Sequence, residues 1–261
     1  MKKRDKKNIM KNLPKGKLYG IGVGPGDPEL IPLKSIKILQ KVDVIFAAAS
    51  TRNTYSRAVD IAKVFLPAGA ELKLLSFPMT KDRREKSHAW QCHAETILAV
   101  LDNGKSAAFL TLGDPLTYST YGYILKAIQA ICPGALIETV PGIASYQAAA
   151  ARVNIPLVAG EESLMVISGV EGGRLIRKYS PLVDNIIILK AYRNAADIAT
   201  ALDETGMIDT SIGISNCSRD NEEIISDLRD LPRKQPGYWT LIIAKKRRKE
   251  AETVIGVQNR P

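Results

Sequence analysis

From residue 18 onward, short apolar runs alternate with amphipathic stretches, and that alternation restricts the chain to an α/β fold. The spacing predicts strands at Leu18–Val23, Val42–Ala47, Glu71–Leu75, Ala107–Leu112 and Leu136–Val140. Between and after them it predicts helices over 33–40, 54–65, 86–102, 119–130 and 144–152. In the third of these, Trp90, Ala94, Ile97 and Leu101 recur every three or four residues, which lays one apolar stripe against a sheet. Gly104 follows where a helix end favours a left-handed residue. The pattern resets through Asn154–Glu162, which contains Pro and Gly. Beyond it, strands are expected at Leu164–Ser168, Asn185–Leu189, Thr210–Ser215 and Tyr238–Ala244, with helical segments near 172–179, 195–204 and 221–226. The expected organisation is a basic leader at 1–17, one α/β domain at 18–154, a second at 155–245 and a tail at 246–261.

The formal charge of +10 is unevenly spread. The first 17 residues hold eight Lys or Arg against Asp5, a charge of +7, and the run Lys245–Lys249 adds +5, leaving the body at −2. A neutral body with basic ends reads as solvated tails, so nucleic acid is not an expected partner. No run approaches the roughly 20 apolar residues of a membrane span, and the leader lacks the apolar core of a signal peptide. Cys92, Cys132 and Cys217 have no metal-like spacing and form no even framework, the usage expected of reduced thiols in a cytoplasmic protein. His88 shares a helical face with Cys92 while His93 points elsewhere, so no protein metal site is expected.

Three loops stand out, each directly after an expected strand. The first, Gly20-Ile-Gly-Val-Gly-Pro-Gly-Asp-Pro28, looks like a dinucleotide fingerprint but places Pro25 or Asp27 where the last glycine belongs. No phosphate-cradling G-x-x-x-x-G-K-[ST] occurs either. Four glycines in seven residues allow the backbone to approach a ligand closely, and a tight strand-to-helix turn explains them equally well. The second loop, Leu112-Gly-Asp-Pro-Leu-Thr-Tyr118, puts the Asp114 carboxylate at the edge of the sheet where open α/β folds bind ligands. Asp114 is also a natural turn or capping residue. The third, Val140-Pro-Gly-Ile-Ala-Ser-Tyr146, opens a helix containing Ala148–Ala151, small enough for close packing or for a flat ligand.

These loops, in this order, resemble the tetrapyrrole methylase family, and the similarity extends from residue 18 to about 245. Ser76-Phe-Pro-Met79, the charged stretch Lys81–Lys86, the helix with Trp90, and Gly113-Asp-Pro-Leu-Thr-Tyr-Ser-Thr120 are similar to the branch that methylates C-20 of precorrin-2 or its cobalt form. Two positions depart from the common pattern: Ile31-Pro32 replaces Leu-Thr, and Ala144 replaces Ser or Thr.

The resemblance implies two α/β domains with S-adenosylmethionine folded in the cleft between them, held largely by main-chain groups and released as S-adenosylhomocysteine. The implied contacts are Pro25, Leu112, Gly113, Asp114, Thr117, Tyr118, Ala144 and Ser145, with Leu189 to Ala191, Asn216, Cys217 and Thr240 on the adenine side. It also implies a homodimer. The tetrapyrrole carries eight carboxylates, for which Arg52, Lys81, Arg83 and Arg84 are the candidate partners. Because the ring is electron-rich and the sulfonium methyl electrophilic, catalysis asks mainly for positioning. Asp114 and Tyr118 are the candidates to accept the C-20 proton. Rival readings are another superfamily activity (uroporphyrinogen III methyltransferase, diphthine synthase or ribosomal-RNA methyltransferase) and a non-catalytic tetrapyrrole-binding protein.

Overall fold

The computed structural model describes residues 15–50 and 55–247. Two compact units divide between Ala148 and Ala149, inside a helix and ahead of the Pro- and Gly-containing stretch where the sequence pattern resets.

The first unit holds a five-stranded sheet of β1 (Lys17–Gly22), β2 (Val44–Ser50), β3 (Glu71–Phe77), β4 (Ala107–Thr111) and β5 (Leu136–Val140). The order is β3-β2-β4-β1-β5, and every pairing is parallel. The helices are α1 (Leu33–Leu39), α2 (Arg57–Ala62), α3 (Arg83–Asp102), α4 (Tyr121–Ile131) and α5 (Ser145–Val153). The chain moves one way across the sheet from β1 to β3 and returns through β4 to β5. Right-handed crossovers then place α1 and α2 on one face and α3 and α4 on the other.

The core obeys that division. Ile21, Ile45, Ala47, Ala108 and Leu110 pack with Leu39 and Ile61. The alternate residues of the same strands, Leu18, Val44, Phe46, Ala107 and Phe109, pack with Ala94, Ile97, Leu101, Ile124 and Ile128. The two-residue period of each strand thus feeds two cores, as strands covered on both faces require.

Beneath the end of β1 the packing is unusually close. Tyr121, fully buried, lies where a side chain on Gly20 would be: an added Cβ would meet its ring at 2.1 Å. The ring packs 5.7 Å from Phe109, and the hydroxyl is 3.0 Å from Thr139 Oγ1. Burial pushes the Tyr121 phenol up from its ordinary pKa.

The second unit has β6 (Leu164–Ser168), β7 (Asn185–Leu189), β8 (Ile212–Ser215), β9 (Glu223–Ile225) and β10 (Thr240–Lys245), in the order β6-β7-β10-β8-β9. Only β6 and β7 are parallel. Helices α6 (Arg174–Tyr179), α7 (Ala195–Glu204) and α8 (Leu231–Lys234) contribute Ile176, Ile198, Leu202 and Leu231 to a core with Ile186, Ile188, Ile242 and Ala244.

The fold corrects several expectations. The segment expected as a helix near 221–226 instead contains β9, because pairing with β8 buries Ile225. Helix α3 starts at Arg83, three residues before the expected 86, because the Asp82 carboxylate accepts a 2.7 Å bond from Arg84 N. Lys17 and Lys245, expected in solvated basic ends, are engaged: Lys17 Nζ is 2.6 Å from Glu138, and Lys245 Nζ donates to the carbonyls of Pro156 and Leu157 at 2.9 and 3.2 Å. No helix of the described residues is long and apolar enough to cross a membrane.

Candidate functional site

In an open parallel sheet, ligands gather at the carboxyl ends of neighbouring strands whose connections leave on opposite faces. Here those strands are β1 and β4, and they carry the first two glycine loops; β5, with the third, lies on the other side of β1. The loops lock together. Gly24 and Gly113 form an isolated antiparallel bridge in which Gly113 N donates to Gly24 O at 2.7 Å. Both have left-handed φ, +78° and +66°, which favours glycine at each. A Cβ on Gly22 would stand 2.5 Å from Gly113 O and 2.6 Å from Gly142 N. A Cβ on Gly142 would stand 2.1 Å from Gly113 O and 2.8 Å from Gly22 Cα. Gly22 and Gly142 are therefore bare because backbone packs on backbone. Close approach to a ligand is not what excludes their side chains.

Asp114 ties the knot. Its Oδ1 accepts from Leu116 N at 2.9 Å and from the Thr117 hydroxyl at 3.1 Å, and its Oδ2 accepts from Gly142 N at 3.3 Å. One carboxylate therefore shapes the second loop and holds it to the third. The Thr111 and Ser119 hydroxyls lie 2.7 Å apart, and Ser119 Oγ accepts from Tyr121 N, so the loop is tied to the end of β4 and to the first residue of α4. At the start of α5, Ala144 has no hydroxyl to cap the helix, but Gln147 Oε1 accepts from Ala144 N at 2.9 Å, the reciprocal half of a capping box.

Gly113 differs from the two crowded glycines. An added Cβ there would meet nothing nearer than Ile143 O at 3.9 Å and Ala144 Cα at 4.0 Å. A side chain there would sit in ordinary van der Waals contact with peptide atoms, so it is the left-handed φ and not crowding that favours glycine at Gly113. Of the sequence candidates, Pro25 and Ala144 are buried, Leu112, Asp114, Thr117 and Ser145 are half-buried, and Tyr118 is exposed at a left-handed φ of +50°.

The other candidates fall into separate groups. Lys81, Arg83 and Arg84 are exposed at the start of α3, at the same sheet edge, but follow β3, two strands from β4 and roughly 10 Å away at ordinary strand spacing. Arg52 lies outside the described residues. In the second unit, Leu189, Ala191, Asn216, Cys217 and Thr240 come together at one end of the sheet. Ala191 N donates to Thr240 O at 2.9 Å, and the Ser215 and Thr240 hydroxyls are 2.6 Å apart. Asn216 and Lys190 have left-handed φ, and burial pushes the Lys190 ammonium down and the Cys217 thiol up.

His93 Nε2 is 2.8 Å from Ser76 O, and His88 Nε2 is 3.6 Å from Cys92 Sγ. Among the described residues no group of three His, Cys, Asp or Glu side chains is placed to hold a metal ion.

Sequence reasoning did not find the parts played by Gly20, Gly142, Gln147 and Tyr121. Gln147 had a readable signal, three residues after the helix cap. The others depend on contacts between segments far apart in the chain.

The sequence model of the tetrapyrrole (corrin/porphyrin) methylases matches residues 17–232. A cobalt-precorrin-2 C(20)-methyltransferase of Salmonella typhimurium is 32% identical over 91% of this chain and 99% of its own length. A probable cobalt-precorrin-2 C(20)-methyltransferase of Methanocaldococcus jannaschii is 39% identical over 67% of this chain and 72% of its own. Among solved structures, a uroporphyrin-III C-methyl transferase from Thermus thermophilus complexed with S-adenyl homocysteine shares the fold, with a TM-score of 0.62 at 21% identity over 88% of this chain and 97% of that one. With the three interlocked loops all inside the matched span, the chain belongs to the tetrapyrrole (corrin/porphyrin) methylase family.

Proposed function

We propose that this enzyme transfers a methyl group from S-adenosylmethionine to C-20 of precorrin-2 or its cobalt form, in cobalamin biosynthesis. The observation that carries the reading is the knot of Gly22, Gly24, Gly113, Asp114 and Gly142, which builds a ligand edge from peptide groups and one carboxylate. S-adenosylmethionine, when bound, supplies a sulfonium-activated electrophilic methyl group. The protein's own part is to orient and shield. Pro25, Leu112, Gly113, Thr117, Ala144 and Ser145 form the edge against which the donor lies, and Asp114 is a positioning residue whose charge also favours a cation. Leu189, Ala191, Asn216, Cys217 and Thr240 are assigned to its adenosine part. Tyr118, exposed in the same loop as Asp114, is the candidate to receive the C-20 proton. The enzyme is assigned to the cytoplasm as a homodimer, an assembly state that sedimentation reads directly.

Labelled S-adenosylmethionine offered together with precorrin-2, cobalt-precorrin-2, uroporphyrinogen III or RNA separates this reading from its rivals. One methyl group on a precorrin-2-type ring is expected. Label on uroporphyrinogen III or RNA, or on nothing, contradicts it.

Arg83 and Arg84 give a second check. Cations in the first turn of a helix oppose its dipole, so Arg83 and Arg84 do not stabilise the start of α3 through that dipole and can be replaced without loss of stability. The double variant R83Q/R84Q should melt no lower than the parent. Its KM for the tetrapyrrole should rise by about tenfold while S-adenosylhomocysteine affinity is unchanged. Steady-state kinetics beside calorimetry measure both, and an unmoved KM removes these residues from the substrate site.

A further inference from the structure

At one end of the second sheet, three segments are fastened by backbone bonds: the stretch after β7, the stretch after β8 and the approach to β10. Ala191 N donates to Thr240 O at 2.9 Å, and Asn216 N donates to Trp239 O at 3.2 Å. On that frame stand three aromatic rings that the methyl-transfer reading leaves unused. Tyr192 and Tyr238 have centroids 5.3 Å apart, and Tyr238 and Trp239 meet edge to face at 4.8 Å. Two arginines lie over the outer rings, Arg193 at 5.7 Å from the Tyr192 centroid and Arg219 at 5.4 Å from that of Trp239. Tyr238 remains 45% exposed and Trp239 38%. A clustered aromatic surface of this kind, rimmed by charge, marks a binding face more often than an ordinary one.

The chemistry of the cluster selects its ligand. Aromatic faces and edges cover a flat apolar body. A guanidinium carries five N–H donors, enough to meet a carboxylate alongside its contacts within the protein. The cationic sulfonium and amino groups of the methyl donor are disfavoured beside two arginines, which leaves only its neutral adenosine part to the neighbouring residues assigned above. A planar ring bearing several carboxylates satisfies both halves of the cluster.

We propose that Tyr192, Tyr238, Trp239, Arg193 and Arg219 form a binding surface for the polycarboxylate ring of the methyl acceptor. The inference rests on the tetrapyrrole reading above and assigns to the second unit a share in substrate recognition that Lys81, Arg83 and Arg84 do not cover.

The test uses the full-length chain with Trp90→Phe, which leaves Trp239 as the single tryptophan, and uroporphyrin, a stable octacarboxylate porphyrin, as the probe. Saturable quenching of Trp239 emission is expected. Adding R193Q and R219Q should weaken uroporphyrin binding at least about tenfold while S-adenosylhomocysteine affinity stays within about twofold. Tyr192→Leu, followed by porphyrin fluorescence, should weaken it as well and separates the ring contribution from charge. A folded arginine variant that binds both ligands as the parent does overturns this inference and leaves methyl transfer intact. A folded parent that binds neither ligand overturns both. An oligouridylate that displaces the probe at lower concentration than free uroporphyrin does overturns the assignment in favour of RNA.

Discussion

Replacing Gly142 by alanine should destabilise the protein by about 3 kcal/mol and abolish S-adenosylhomocysteine binding at micromolar concentrations. The added Cβ would stand 2.1 Å from Gly113 O and 2.8 Å from Gly22 Cα. Both are backbone atoms, and neither has a rotamer to swing aside. Relief therefore has to come from separating the loops, which breaks the Gly24–Gly113 bridge and the Asp114 bond to Gly142 N. Gly122→Ala supplies a control of opposite sign. A Cβ there meets nothing within 4 Å, and within α4 alanine should add about 0.5–1 kcal/mol. Urea denaturation with a titration of S-adenosylhomocysteine measures both variants. A Gly142→Ala protein as stable as the parent would show that the interlock is not a structural requirement.

The second large effect is expected at Asp114. Asp114→Ala leaves Leu116 N, the Thr117 hydroxyl and Gly142 N without their acceptor. A hydrogen bond to a charged group is worth about 1.5–3 kcal/mol, so S-adenosylhomocysteine affinity should fall about 10- to 100-fold. The conservative replacement separates geometry from charge. Asp114→Asn keeps one acceptor oxygen but turns an amide NH2 toward either Gly142 N or the pair Leu116 N and Thr117. The carboxylate accepts at both oxygens, which an amide cannot do. Asparagine should therefore lose nearly as much as alanine. Calorimetry on folded protein decides, and an Asn variant with parental affinity would mean that Asp114 serves the donor through a single oxygen.

The parts of the molecule visible in its sequence are those set by local rules. Strands β5, β6 and β7 and helix α7 have the limits that the local pattern predicts: β6 and β7 are short apolar runs ended by Gly169 and Lys190, β5 stops at Pro141, and α7 is an amphipathic stretch begun after Asn194. The three loops were recognisable because each follows a strand. Their glycines misled as to cause. Gly20 is bare because of Tyr121 and Gly22 because of Gly113 and Gly142, contacts that close only when distant segments fold together. The same lies behind β9. Glu223-Ile-Ile225 has no alternation of its own and becomes a strand by pairing with β8. Asp114 read equally as a ligand group or a turn residue, and its bonds within and between loops explain why one aspartate fits both descriptions.

Amide hydrogen exchange with and without saturating S-adenosylhomocysteine tests the central claim most directly, because it reports loop by loop where the donor's product is held. Slowed exchange is predicted across residues 23–26, 112–118 and 142–146, with weaker protection at 189–191 and 216–217. Protection confined to other segments, or no change in a protein that unfolds cooperatively, would contradict a donor site built on the three interlocked loops.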